Sequence, residues 1–164
     1  MSTTIESIDA RAYLQNWLKG LVSMYTADIN AIPDDKWNTT MGGCTKSACD
    51  LTADAISLLV WSTDTFRGKA STEGGDGVMA AITADCNTKS GAISKLEQAA
   101  AAFNEALGET SEEALQKPVM APWGMETPLF MIAQISVSHV WYHDGQLNYI
   151  QCLLGDDKVH WMGG

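Results

Sequence analysis

The sequence predicts an all-α fold, an antiparallel four-helix bundle with a long connection between its second and third helices. Two observations carry this expectation. Four segments of about 20–28 residues each repeat apolar side chains at helical spacing, and their similar lengths suit a bundle better than an irregular α fold. The chain has 164 residues, 46% of them hydrophobic, with no internal repeat or low-complexity tract. That length suits a single domain with a full core.

The first helix is expected from about Ser7 to Ile32. Tyr13, Trp17, Leu18, Leu21, Met24 and Tyr25 fall at helical spacing, Ser7 or Asp9 can cap it, and Pro33 stops it. The Pro, Asp, Asn and Gly content of "PDDKWNTTMGGCTK" predicts a loop. A second helix is expected from about Ser47 to Arg67, with Ser47 and Asp50 spaced as a capping pair. "GKASTEGGDG" breaks the pattern, and the stretch from Val78 to Asn87 reads equally as an extended piece or a helix start. A third long helix runs from about Thr88 to Leu107 on the stripe Ile93, Leu96, Ala100, Phe103 and Leu107, and Gly108 ends it. Two prolines then flank a possible short hairpin. Thr127 is the expected cap of a fourth helix that has Pro128 at its first position and is closed by Gly155.

That fourth helix carries the chemistry. In "SHVWYHDGQLNYIQCLLG", Ser138 to Gly155, His139 and His143 stand four residues apart and Gln146 follows one turn later. They share a face with Leu129, Ile132, Ile135, Ser136, Leu147, Ile150 and Leu154, an apolar stripe turned toward a core. Gln134, Val137, Trp141, Asp144, Gly145, Asn148 and Cys152 fall on the opposite, mixed face. Two histidines at this spacing can reach one metal ion, and a third ligand must come from another helix. The second helix offers Asp54, with Asp50 one turn earlier, among Leu51, Leu58 and Trp61. A carboxylate there needs a partner or a cation.

The same residues admit plainer roles. His139 and His143 suit core histidines bonded to Ser136, Gln146 or backbone carbonyls. Asp50 suits a helix cap, and Asp54 a solvated or hydrogen-bonded carboxylate. Trp123, Trp141 and Trp161 suit packing, and His160 an exposed tail. Imidazoles bind metal when neutral, so affinity for an ion should fall as pH drops through about 6.

The formal net charge of −10 disfavours nucleic acid and anionic membranes. No secretory signal or membrane-spanning stretch is evident, which predicts a cytoplasmic protein. Cys44, Cys49, Cys86 and Cys152 form no CxxC pair and read as free buried thiols.

"HVWYHDGQLNYIQCLLGD" resembles the signature of the DinB-like, or YfiT-like, family of metal-dependent proteins. His139, His143, Gly145, Gln146 and Leu147 match it, and "MGGCTKSACDLTADAISLLVW" resembles the family's second helix. The resemblance covers most of the chain and is specific in its last forty residues or so. It implies a four-helix bundle holding one divalent ion (zinc, nickel or iron) between helices two and four. It also implies three ligands, usually all histidine. His139 and His143 match two of them. The second helix has no histidine, and Asp54 stands nearest the vacant position, with Gln146 and Asp50 as neighbours to the metal or substrate.

The activity implied is activation of a low-molecular-weight thiol or of water for a small-molecule substrate. The thiol would be of the bacillithiol, mycothiol or glutathione kind. A non-catalytic, stress-related metal-binding bundle is the alternative. A His–His–carboxylate set also suits non-haem iron, to which the resemblance does not lead. Bundles of the family often pair, and a homodimer is expected here.

Overall fold

The structure is a computed structural model and describes residues 9–69 and 76–162. Ser7 and most of the "GKASTEGGDG" break lie outside the described residues. Four long helices dominate: α1 (Ala10–Ala31), α2 (Ala48–Phe66), α4 (Lys89–Glu109) and α6 (Leu129–Leu153). Between them lie α3 (Asp76–Asp85), the one-turn α5 (Glu112–Leu115), and a two-stranded antiparallel hairpin of β1 (Pro118–Met120) and β2 (Glu126–Pro128).

Local chemistry sets the helix ends. Asp9 accepts from the amides of Arg11 and Ala12 and starts α1, and Ile32, which follows the helix and precedes Pro33, is already extended. At α2 the capping box is complete. The Asp50 amide donates to Ser47 Oγ at 3.1 Å, and the Ser47 amide donates to Asp50 Oδ2 at 3.3 Å. Thr88 caps α4, and Gly91 in its first turn is required by space. A Cβ there would stand 2.2 Å from the Asp85 carbonyl oxygen. Gly155, at φ 89°, closes α6.

The stretch from Val78 to Asn87 takes the helical of its two readings, in α3 as far as Asp85. Two sequence expectations change. Gly108 does not end its helix, which runs one residue further to Glu109. Thr127 is not a helix cap. It is a strand residue whose hydroxyl donates to the Met125 carbonyl, and α6 starts after Pro128 with no side-chain cap.

The long helices close a ring in the order α1–α4–α2–α6. At the start of α1, Arg11 donates to the Thr110 carbonyl beyond the end of α4, while Lys89 at the start of α4 reaches the Ile32 carbonyl, so these two run antiparallel. Ser62 meets Ser136 and Asp54 meets His143, so α2 and α6 are also antiparallel. Trp17 packs on Trp141 and Asp28 meets Asn148, so α1 and α6 run the same way. Parallel neighbours α2 and α4 need a return path between them, and the long connection containing α3 supplies it. The core is built from Leu18, Tyr25, Ile29, Trp37, Ile56, Leu59, Phe103 and Leu147, among others.

Candidate metal centre

The α2–α6 seam positions the site. Asp54 sits two turns into α2, and antiparallel pairing brings it opposite His143 in the middle of α6. His143 Nε2 lies 3.6 Å from Asp54 Oδ2 and 3.1 Å from His139 Nε2. One ligand atom from each of Asp54, His139 and His143 falls within 4.8 Å of the others. The two imidazoles meet nearly at right angles, at 87°, with ring centroids 4.4 Å apart.

Hydrogen bonds fix the tautomers. His143 Nδ1–H donates to Gln146 Oε1 at 2.7 Å, and the Gln146 amide donates to the Tyr142 hydroxyl at 3.3 Å. The Nε2 lone pair of His143 therefore faces the cluster. His139 Nδ1 is buried without a partner. Ser136 does not serve the histidines. Its hydroxyl meets Ser62 and the Ile132 carbonyl. Burial, and then its histidine neighbour, pushes His143 down to about 4, and burial also lowers His139. Both rings are neutral at physiological pH, the form that ligates a metal. The acid threshold for losing the ion accordingly falls below the pH of about 6 that an unperturbed imidazole suggests.

His143 Nε2 accepts from His139 Nε2–H; with that proton on Nδ1 instead, two nitrogen donors and one carboxylate oxygen fit a divalent ion such as zinc, nickel or iron. The group opens into a cleft of about 460 Å³. Met41, Leu51 and Ile150 give it apolar walls, and Tyr142, Tyr149 and Gln146 give it polar edges. Lys46, in the loop before α2, places its ammonium on Asp54 Oδ2.

Asp50 is not part of this cleft. It is exposed, and its carboxylate accepts from the Ser47 hydroxyl at 2.6 Å as part of the α2 cap. The polar trio is also less uniformly inward than its spacing implies, since His143 is buried while His139 and Gln146 are half-exposed at the cleft edge. Val137 and Asp144, expected on the mixed face, are buried, because α1 and α2 both pack on α6 and widen its covered arc. Cys44 and Cys152 are exposed while Cys49 and Cys86 are buried, and all four are free. Trp123, Trp141 and Trp161 are exposed, not packed into the core, where Trp37 is the buried one. His160 is exposed, as expected of the tail, and meets Asp156.

No protein-family model and no curated relative matches the sequence. Solved structures do match. The crystal structure of the mycothiol-dependent maleylpyruvate isomerase superposes with a TM-score of 0.62 at 16% identity, over 84% of this chain and 60% of that one. A histidine-to-alanine mutant of the same isomerase gives 0.62 at 18% identity, with the same coverage. The chain has a DinB-like fold. It spans about 60% of the length of the isomerase chains that share this DinB-like fold. Among the described residues, no helix is long and apolar enough to cross a membrane.

Proposed function

We propose that the chain is a divalent-metal-dependent enzyme that activates a small thiol or water in the α2–α6 cleft. Asp54, His139 and His143 would hold the ion. The observation that carries this reading is the convergence of their three ligand atoms within 4.8 Å beside an open cleft. The likeness to a mycothiol-dependent isomerase supports a low-molecular-weight thiol as the co-substrate.

A bound divalent ion would deprotonate a coordinating thiol, or lower the pKa of a coordinating water, and so supply a nucleophile at neutral pH. The chain's own residues prepare that chemistry. Gln146 Oε1 accepts a hydrogen bond from His143 Nδ1–H and holds the ring with Nε2 turned toward His139 and Asp54, where it would meet an ion. Tyr142 orients Gln146 in turn. Met41, Leu51 and Ile150 keep water from one side of the reacting atoms, while Tyr142 and Tyr149 give a small substrate an amphipathic edge.

Elemental analysis of tag-free protein is expected to find a single divalent ion per chain in the native sequence and little in Asp54→Ala or His143→Ala. Native protein that neither contains nor takes up metal would end this reading. Thiol consumption with electrophilic substrates separates an enzyme from a bundle that only binds metal.

We also propose a homodimer. Away from the cleft, Trp141 of α6 and Tyr13 of α1 flank Trp17 and leave aromatic surface exposed, with Tyr13 59% and Trp141 55% exposed. Light scattering is expected to give twice the monomer mass, and a monomer at tens of micromolar, roughly, would remove the idea.

A further inference from the structure

Asp54 already has a cation. Lys46 extends from the loop before α2 and sets its ammonium on Asp54 Oδ2. That oxygen is the one 3.6 Å from His143 Nε2, on the side where the ligand atoms converge. The lysine therefore occupies the corner that an incoming ion needs. Its side chain is 53% exposed against 24% for Asp54, so the lysine lies on the solvent side and has room to leave. Gly42 and Gly43, both at positive φ, precede it in the loop, and Lys46 itself is exposed.

We propose that Lys46 is a displaceable counter-ion of the metal centre. It neutralises Asp54 when the site is empty and gives up the carboxylate when a divalent ion arrives. The inference rests on the reading of Asp54, His139 and His143 as metal ligands. Charge dictates the exchange. Without an ion, the half-buried Asp54 carboxylate is balanced by the Lys46 ammonium set on it. A divalent ion added beside a stationary lysine would leave two net positive charges in a cluster a few ångströms across. Moving the lysine outward leaves one. A lysine suits the role better than an arginine, because its ammonium is a point charge without the paired hydrogen bonds that fix a guanidinium to a carboxylate. The consequence is a threshold, since an ion is retained only if its ligation exceeds the ion pair it replaces.

The test is zinc(II) affinity, measured by competition with a chromophoric chelator, for the native chain, Lys46→Met and Lys46→Arg. Lys46→Met is expected to bind zinc tighter by roughly fivefold, the ratio given by a partly exposed ion pair at the upper end of its range. Lys46→Arg should bind no tighter than the native chain. Without metal, Lys46→Met should melt lower than the native chain, and the deficit should close on loading. Equal or weaker binding by Lys46→Met would overturn the proposal while leaving the metal centre in place. Absence of binding in all three chains would remove the metal centre and the proposal together. Acylation of Lys46 in the native chain, read by mass spectrometry, needs no variant. Labelling should be several-fold faster once zinc is bound, and an unchanged or slower rate counts against displacement.

Discussion

His143 carries the site's geometry through one bond. Its Nδ1–H to Gln146 fixes which nitrogen faces the cleft, so Gln146→Leu should weaken metal binding by about ten- to a hundredfold without unfolding the chain, as chelator competition would show. The histidine pair was legible because a spacing of four places two rings on one face of any helix. A carboxylate among apolar neighbours needs a cation, but that applied equally to Asp50 and Asp54, and only the family resemblance singled out Asp54. Lys46 was not legible, since a lysine in a Gly-rich loop just before a helix reads as solvated. Asp144 was not either. Its i+1 position beside His143 rotates it away from the apolar stripe, and only the packing of α1 against α6 buries it to 2% exposure beside Asp28.

At the level of elements, the capping signals carried most of the information. Ser47 and Asp50 close a complete box on α2, the helix that presents Asp54. Ser47→Ala should cost about 1 kcal/mol in urea unfolding, with the m-value unchanged. Metal affinity should fall less than in Asp54→Ala, because the cap steadies the helix without touching the cleft. The weakest sequence assignments lay where periodicity was short. α3 has only ten residues, and its run of small side chains suits a helix or an extended piece equally. Thr127 and Pro128 carry a helix-start signature, yet pairing of β2 with β1 took both residues. A competing strand partner is invisible to local pattern.

Across the whole molecule, helical stripes reveal that four helices bury a face but not which faces meet. The ring order, and the parallel course of α2 and α4, emerge only from contacts between distant segments. Two buried groups make stability depend on pH in opposite directions. The folded-state pKa of Asp144 is raised to about 8 by burial and then by Asp28, so its contribution is present below about 4 and lost as pH rises toward 8. His143 is depressed to about 4, so its contribution is present above 6.5 and lost as pH falls toward 4. Of these two, only the Asp144 effect still changes above pH 6.5. The native chain should therefore melt lower at pH 8 than at pH 6.5, and Asp144→Asn should flatten that decline. A steeper decline in the variant would contradict the assignment. The seam between α2 and α6 has a mechanical consequence as well. Asp54 and His143 belong to segments separated by the crossover, α4 and the hairpin, so an ion gripped by both would fasten the chain into one large loop. Such a clasp restricts the unfolded chain far more than the folded one, and its removal by a chelator would loosen every helix strung between the two ends.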